Sequence, residues 1–377
     1  MDYVVLKQSP RYHQMSLEEF LWEDSHFQPY VQNNETNTRT YLTNNLPRRL
    51  FELYDPLVKL MFLKDFNQWT ESLRQVPRRS LYREFYIPKK SGGLRKIDAP
   101  NDELADALRQ LSSIFRGLYH TSAFAYIKGR STLDAVKRHQ KNESKWFAKF
   151  DLSNFFGSTT LPFAMNMLSR IFPFSAICRI PGGREELEKA LELGFLDGGL
   201  PQGTPLSPAL TNCLMIPVDH ALSNELRNFN GHHLVYTRYA DDFLVSSKVD
   251  FGFRAVENHI REVLARFSAP YILKPEKTRY GSSAGSNWNL GVMLNKDNEI
   301  TVGSKKKRQF KAMLTNYILD RQNGNPWPLE DIRVLDGYRS YYRMVEKDTI
   351  DGIVQSIGEK FNADIVLCIR TDLSPKP

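Results

Sequence analysis

Two adjacent aspartates interrupt an apolar segment, Leu234–Val245, and this constrains the fold more than any other feature of the chain. Aspartate is unfavourable inside a strand, and neighbouring strand side chains point to opposite faces. The pair Asp241-Asp242 is therefore predicted to lie in the tight turn of a β-hairpin with arms at Val235–Tyr239 and Phe243–Ser246. Taken alone, such a pair most often marks an ordinary acidic turn.

A second apolar segment ends in an acid in the same way. Residues Lys145–Phe150 have the composition of a strand, and Asp151 follows them directly. Mg²⁺ prefers carboxylate oxygens together with substrate phosphates. Two such ions roughly 3.5–4 Å apart activate an attacking oxygen and stabilise a leaving one. The sequence thus predicts that Asp151 converges with Asp241 and Asp242 on a metal site.

Length and composition bound the class of protein. The 377 residues are enough for two or three lobes, and 41% hydrophobic residues suffice for a sizeable core. The formal net charge of +8 favours a polyanionic partner. Three scattered cysteines form neither a metal-binding pattern nor a disulfide framework, so a reducing cytoplasm is expected. The chain starts without the layout of a signal peptide, and no apolar run is long enough to span a bilayer.

The sequence also predicts the secondary structure of other segments. Residues 1–80 are predicted to be mostly helical, with a capping box at Ser16–Glu19 and a helical run at Leu50–Trp69 that Pro56 breaks or kinks. Residues 81–100 alternate like two strands around a Lys-Lys-Ser-Gly-Gly turn. Further helices are predicted at Ala105–Leu118, Thr132–His139, within 160–198, from about Ser207, at Ala255–Phe267, Lys305–Leu319, Ile332–Val345 and Thr349–Ile369.

Two basic segments are candidates for contacts with phosphate. The turn at 89–93 carries Lys89, and Arg95 on the return strand could grip a triphosphate with two prongs. Lys128 and Arg130 flank a glycine, which lets the backbone approach a template phosphate closely. Each segment has a structural alternative. The first is a solvated basic turn, which would be preferred if the segment stood alone, and the second is a turn and helix start capped by Ser131.

Six segments in order resemble the motifs of bacterial reverse transcriptases of the retron and group II intron lineage. They are Phe85–Ile97, Phe150–Phe156, Gly199–Leu210, Tyr239–Asp242, Leu273–Thr278 and Asn289–Val292. The resemblance implies an α+β fold of the right-hand polymerase type, with fingers, a palm built on a split βαβ sheet, and a helical thumb. The implied domains are an N-terminal helical extension at 1–80, fingers and palm at 81–300, and the thumb at 301–377.

The resemblance also implies the activity, that of an RNA-directed DNA polymerase using two Mg²⁺ ions, with Mn²⁺ as an alternative. The implied catalytic residues are Asp151, Asp241, Asp242 and Lys277, and the carbonyl of Leu152 is an added metal ligand. Lys277 would act as a general acid on the leaving pyrophosphate. The implied nucleotide-binding residues are Lys89, Arg95, Phe156, Gln202 and Gly203, and the ring of Phe156 would exclude a 2′-hydroxyl. The implied nucleic-acid contacts are Lys128, Arg130, Trp288, Leu290, Gly291, Lys305, Lys306, Lys307 and Arg308.

The cations from Lys305 to Arg308 begin a predicted thumb helix that follows the duplex backbone. Within a helix they cannot all face one way, so some are expected to be merely solvated. The implied partners are an RNA template, namely a dedicated noncoding RNA, together with the DNA product, dNTPs and an effector protein, with no membrane. Anti-phage defence is the implied role.

Some positions depart from related branches. Asp134–His139 stands where retron enzymes typically have Asn-Ala-x-x-His, and Asn289–Gly291 stands where they often have Val-Thr-Gly. Ser207-Pro208 in place of Ser-Gln argues against the diversity-generating branch. No further domain is expected after the thumb, which argues against a full group II intron protein.

Three other functions remain open. One is a template-independent or protein-primed DNA polymerase of the abortive-infection type. Another is a non-catalytic RNA-binding module with the same fold, although binding alone would not need Asp151, Asp241, Asp242, Gln202 and Phe156 together. The third is an RNA polymerase.

Overall fold

The structure is a computed structural model that describes residues 3–8, 11–16, 54–88, 92–283 and 291–374. The chain divides into two compact units. One comprises the residues up to 131 with 148–245 and 250–280, and the other comprises 132–147, 246–249 and the residues from 281 onward.

The elements of the first half of the chain mix strands and short helices. In chain order they are β1 Tyr3–Gln8, β2 Arg11–Ser16, α1 Pro56–Trp69, α2 Glu71–Arg74, β3 Tyr82–Pro88, β4 Leu94–Pro100, α3 Asp102–Ser112, α4 Thr132–Lys141, β5 Trp146–Asp151, α5 Phe155–Ser158, α6 Leu161–Leu168, α7 Phe174–Ile177 and α8 Gly183–Glu192.

The second half begins with helices, forms the acidic hairpin and ends in helices. Its elements are α9 Leu206–Leu214, α10 Ile216–Glu225, β6 Val235–Tyr239, β7 Asp242–Ser247, α11 Phe253–Arg266, β8 Arg279–Ser282, β9 Met293–Leu294, β10 Ile300–Thr301, α12 Ser304–Gln322, α13 Leu329–Val345, α14 Lys347–Phe361 and α15 Ile365–Leu373. The α+β class is confirmed. None of the helices in the described ranges is both long and apolar enough to cross a membrane.

The start of the chain forms strands, not helix. β1 and β2 pair antiparallel, from Tyr3 opposite Ser16 to Gln8 opposite Arg11. The helical prediction is therefore wrong for residues 3–8 and 11–16, because the aromatic and β-branched residues of β1 are typical of strands. Ser16 of the predicted capping box is the last residue of β2. Residues 17–53, with the rest of that pattern, lie outside the described residues.

Pro56 begins α1 and does not break it. Asp55 caps the helix, and its Oδ1 accepts from the amides of Leu57 at 2.8 Å and Val58 at 3.4 Å. Proline is favoured in the first turn because the amide it lacks would have had no partner there. The predicted kink at Pro56 is thus wrong, and the helical prediction holds for 56–69.

The basic hairpin is confirmed, with β3 and β4 paired from Tyr82 opposite Pro100 to Pro88 opposite Leu94. The helix predicted at Ala105–Leu118 begins and ends earlier, at Asp102 and Ser112. Its start is set by Asn101, whose side chain accepts from the amide of Leu104 at 2.9 Å.

A four-stranded sheet carries the predicted acidic strands, in the order β6-β7-β5-β8. The strand that ends in Asp151 therefore neighbours the strand that starts at Asp242. The helices predicted from Thr132, about Ser207 and Ala255 are confirmed as α4, α9 and α11. The apolar and charged helices predicted within 160–198 are confirmed as α6 and α8.

The last four helices share their own apolar core. Its fully buried members include Leu314, Leu335 and Ile350. The helical range predicted at Thr349–Ile369 is confirmed as two helices, because the chain turns at Asn362, whose φ is 48°.

Candidate active site

The acidic turn forms at the junction of β6 and β7. Ala240 has a left-handed φ of 56°, Asp241 lies in the turn, and Asp242 is the first residue of β7. The predicted hairpin is confirmed, with its second arm starting one residue earlier than expected. Because a left-handed φ is unusual for a residue other than glycine, the surroundings must fix this turn.

Backbone hydrogen bonds tie Asp151 to the acidic turn and to a third segment. The amide of Leu152 donates to the Asp241 carbonyl at 3.0 Å. The amide of Lys274 donates to the Asp151 carbonyl at 2.9 Å, and Leu152 bridges Leu273. Main-chain contacts therefore bring the acids of the two predicted strands together.

The carboxylates interact electrostatically. Burial raises the pKa of Asp241, and the negative charges of Asp242 and Asp151 raise it further. Burial also raises the pKa of Asp242, against the opposing effect of the Lys149 ammonium. A divalent cation would relieve this repulsion, so the three side chains fit such an ion in charge and in donor type.

Lysine ammonium groups pair with two of these acids. Lys149 Nζ lies 2.7 Å from Asp242 Oδ2, and Lys274 and Lys277 lie 3.0 and 3.2 Å from Asp151 Oδ1. Throughout the part of the chain that the structure describes, no three His, Cys, Asp or Glu side chains are arranged to hold a metal as they stand. Metal binding by the Leu152 carbonyl stays a prediction.

Lys277, the predicted general acid, lies beside Asp151, and its catalytic role stays a prediction. Burial lowers its pKa, but the hydrogen bond and charge of Asp151 outweigh burial, and the net shift of the pKa is upward. The side chain is half exposed, so it can reach a phosphate while remaining protonated.

The two neighbouring phenylalanines have different environments. Phe155 is buried, with its ring 5.0 Å from that of Tyr271. Phe156 is only partly buried, and its ring lies 6.2 Å from that of Tyr126, which is 59% exposed. Phe155 is thus the core residue of the pair, which leaves Phe156 available to a nucleotide.

The loop with Gln202 and Gly203 is held against β4. The Asp98 amide donates to the Gln202 carbonyl at 2.9 Å. Gly203 has a φ of 117°, and a Cβ added there would lie 2.8 Å from Ile97 Cγ2, so only glycine fits. Arg95 lies exposed on the same strand. The loop of Gln202 and Gly203 therefore packs against the strand that carries Arg95. Lys89, the remaining basic residue of the prediction, lies outside the described residues.

Arg130 supports its own loop. Its Nη1 donates to the carbonyls of Ala123 at 2.7 Å and Thr121 at 3.0 Å, and its guanidinium lies 4.7 Å from the centre of the Tyr119 ring. Sequence reasoning missed this role. Lys128 is exposed, and contact of either residue with a template phosphate stays a prediction.

The cations of the predicted thumb helix have different partners. Lys305 and Arg308 are exposed. Lys307 Nζ lies 2.8 Å from Glu346 Oε1, and Lys306 Nζ donates to the Gly291 carbonyl at 2.7 Å. These cations therefore do not all face solvent, as the helical geometry led us to expect.

The predicted primer contact is described at Gly291 alone, because Trp288 and Leu290 lie outside the described residues. Gly291 has a φ of 92°, and a Cβ added there would lie 3.1 Å from the Tyr341 hydroxyl. A side chain at this position would therefore be strained in the backbone and crowded by the tyrosine.

Sequence reasoning also missed a fully buried ion pair, Arg238 with Asp219, whose charged atoms are 2.8 Å apart. A signal was available, since an arginine inside an otherwise apolar strand needs a partner. The identity of the partner could not be deduced, because Asp219 lies on a different element, α10.

The chain is similar in sequence to known proteins. The family described as reverse transcriptase (RNA-dependent DNA polymerase) matches residues 87–312. The Retron Ec73 reverse transcriptase of Escherichia coli is 25% identical over 270 residues, which cover 69% of this chain and 82% of that protein. The Retron Ec83 reverse transcriptase of the same species is 25% identical over 291 residues, covering 74% and 87%. The Retron Mx162 reverse transcriptase of Myxococcus xanthus is 26% identical over 299 residues, covering 74% and 61%.

Among solved structures, the chain has a limited likeness to telomerases. An apo telomerase of Candida tropicalis truncated from its C-terminal domain has a TM-score of 0.44 and 14% identity, covering 64% of this chain and 60% of that one. A telomerase of Candida albicans in complex with a fragment of telomeric RNA has a TM-score of 0.43 and 14% identity, covering 83% and 63%. The chain thus spans less than two thirds of either telomerase. No conclusion about the function of this chain is based on TM-scores this low.

Proposed function

Because the chain belongs to the reverse transcriptase family and is an RNA-directed DNA polymerase, we propose that it copies a dedicated noncoding RNA into DNA at Asp151, Asp241 and Asp242. Its fold is the α+β right-hand polymerase fold. The similarity to retron enzymes supports the dedicated RNA and a role in anti-phage defence, which the resemblance of the motifs also implies.

One observation carries the proposed site. Acids from two neighbouring strands are joined through the hydrogen bond from the Leu152 amide to the Asp241 carbonyl. The pKa of Asp241 is raised by burial and by both neighbouring acids, as expected of a site built for cations. Enzymes of this family generally use divalent metal ions, and we assign two Mg²⁺ ions to these carboxylates.

The reaction forms one bond and breaks another. The primer 3′-oxygen attacks the α-phosphorus of a dNTP, and the bond from that phosphorus to the leaving pyrophosphate breaks. When bound, the metal ions would favour the deprotonated 3′-oxygen and neutralise the phosphates. Arg95 holds the triphosphate, Lys277 supplies a proton to the pyrophosphate, and Phe156 excludes a 2′-hydroxyl.

The lysines have a second role in this proposal. Lys149, Lys274 and Lys277 neutralise the acids of the resting site. With cations held by the carboxylates, the ammonium groups of these lysines would be available to pair with the phosphate oxygens of the triphosphate.

The test is to purify the protein from its native locus and sequence the bound nucleic acid after digesting one half with RNase and the other with DNase. The inactive variant is Asp241→Ala/Asp242→Ala. The matched control is Asp197→Asn, since Asp197 is an exposed acid with a left-handed φ of 52°, which asparagine tolerates.

The expected result is a discrete RNA together with complementary DNA in wild type and in the control. The inactive variant should lack this combination of RNA and complementary DNA. DNA without a matching template, or DNA attached to protein, would replace the proposal with untemplated or protein-primed synthesis. RNA alone, identical in all three proteins, would indicate a binding module and overturn the proposed chemistry.

A further inference from the structure

The buried ion pair between Arg238 and Asp219 lies beside the acidic turn, and both residues are 0% exposed. Arg238 Nε donates to Asp219 Oδ1 at 2.8 Å and to Oδ2 at 3.0 Å, and Nη2 donates to Oδ2 at 2.8 Å. The Tyr236 hydroxyl donates to Oδ1 at 2.8 Å. Asp219 is thus fully engaged in fixing the plane of the guanidinium.

The remaining guanidinium nitrogen is directed at the catalytic turn. Arg238 Nη1 donates to the Ala240 carbonyl at 3.3 Å. Ala240 has the left-handed φ described above and directly precedes Asp241, whose own carbonyl accepts from Leu152. Two successive carbonyls of the turn are therefore held, one by the buried arginine and one by the strand that carries Asp151.

The same nitrogen connects to a second loop through Asn212. Arg238 Nη1 donates to Asn212 Oδ1 at 3.1 Å, and Asn212 Nδ2 donates to the Ala125 carbonyl at 2.8 Å. Ala125 directly precedes Tyr126, which has a left-handed φ of 61° and a ring next to that of Phe156. Asn212 is itself buried.

The Arg238 backbone adds to this connection. Its amide donates to the Ser122 carbonyl at 2.7 Å, and its carbonyl accepts from the Phe124 amide at 2.9 Å. The residue therefore contacts the loop that presents Tyr126 with its main chain and, through Asn212, with its side chain.

Stability alone is a poor explanation for these charges. Removing two charges from water is costly, and well-packed apolar residues of similar volume often stabilise a fold as well or better. Apolar residues cannot supply the directed donors of a planar guanidinium. Here one donor ends on the carbonyl of Ala240, which has a left-handed backbone, in the turn that presents Asp241. The other connection runs through Asn212 to the Ala125 carbonyl, next to the left-handed Tyr126.

We propose that Arg238 is a positioning residue that fixes the Asp241 turn directly and the Tyr126 loop through Asn212. This inference rests on the proposed function, because it takes Asp241 as a metal-binding residue. Arg238 thereby fixes the placement of a metal-binding carboxylate relative to the aromatic side of the nucleotide pocket.

The test compares variants that keep or remove the directed donors. Arg238→Lys retains the charge beside Asp219 but lacks the fork that reaches Ala240. Arg238→Met/Asp219→Leu replaces the pair by apolar side chains. For both we expect a loss in kcat of about 100-fold, the scale of a small misplacement of reacting groups. Mn²⁺ binding without nucleotide, followed by its paramagnetic signal, should weaken by about tenfold.

Asn212→Ala distinguishes the effect of the Tyr126 loop from that of the Asp241 turn. Asn212 contacts Arg238 and the Tyr126 loop but not the Asp241 turn, so KM for the dNTP should rise by about tenfold while Mn²⁺ binding stays at the wild-type value. The matched control is Lys59→Met. Lys59 is another buried cation in the same unit, and its Nζ donates to the Ile114 carbonyl at 2.5 Å. This control should leave Mn²⁺ binding unchanged.

The inference is overturned if the apolar double variant folds and matches wild type in Mn²⁺ binding and kcat. It is equally overturned if Lys59→Met weakens Mn²⁺ binding as much as Arg238→Lys does. Should the double variant not fold, Arg238→Lys decides alone. The proposed function fails separately, if Asp241→Asn incorporates dNTPs as wild type does.

Discussion

Two kinds of ion pair lie a few residues apart in this polymerase. Arg238 and Asp219 are fully buried, and hydrogen bonds to neighbouring side chains fix the geometry of the pair. Lys149 and Asp242, in contrast, have side chains 28% and 22% exposed and share a single contact. The buried pair holds the backbone of the acidic turn, whereas the exposed pair holds only the carboxylate at its end. The ion pair with a fixed partner is thus buried. The ion pair whose carboxylate would exchange its lysine for a cation remains partly exposed.

The largest effect is expected at the acids themselves. Asp151→Asn should reduce kcat by about 10⁴-fold, equivalent to about 5.5 kcal/mol, because an amide cannot supply the charge that binds the metal ions. Primer extension on an RNA template measures this. Asp297→Asn, a change at an exposed turn, should extend at the wild-type rate. Extension at the wild-type rate by Asp151→Asn would show that the acids of the site do not bind the catalytic cations, and this would contradict the comparison.

Breaking the buried pair should be the next largest effect. Asp219→Ala leaves the guanidinium of Arg238 buried without its anion, and the free energy of unfolding should fall by about 3–5 kcal/mol. Chemical denaturation provides the measurement. Glu257→Ala, which removes a surface partner of Arg261, should cost about 1 kcal/mol or less. Equal losses in the two variants would contradict the comparison.

The adjacent phenylalanines extend the same comparison to uncharged side chains. Phe155→Ala should lower the free energy of unfolding by about 3 kcal/mol, because it empties a buried site. Phe156→Ala should instead raise the use of NTPs relative to dNTPs by about tenfold, through loss of the contact that excludes a 2′-hydroxyl. Competition between labelled nucleotides measures the second effect, and unchanged selectivity would place Phe156 in the core.

The smallest effect on stability is expected at the exposed pair. Lys149→Met removes a partly exposed ion pair and should change the free energy of unfolding by about 1 kcal/mol or less. The pKa of Asp242 should rise further, because the ammonium that opposes the effect of burial is lost. Carboxyl titration by NMR follows this shift, and a fall in the pKa would show that Lys149 does not act on Asp242.

The sequence was most informative where local patterns carry the structure. The hairpin of β6 and β7 and the strand before Asp151 follow from alternating apolar residues and the poor fit of aspartate inside a strand. Motif order then supplied the function, which no residue pattern alone would have established.

Contacts between distant segments lay beyond such reasoning. Arg238 pairs with Asp219 because a helix and a strand pack together, and no local periodicity encodes that choice of partner. Arg130 illustrates the same limit. Its charge suggested a phosphate ligand, but its side chain donates to carbonyls of its own loop. The strands at 3–16 were missed because a capping pattern nearby favoured helix.

Gly291 has a consequence for protein engineering. Its carbonyl is taken by Lys306, and the space where a side chain would begin is taken by the Tyr341 hydroxyl. These three positions lie far apart in the chain but accept one another only as a set. A chimera that keeps Tyr341 but borrows the segment around position 291 from a relative must keep a glycine at that position, because any side chain there would lie against the tyrosine hydroxyl.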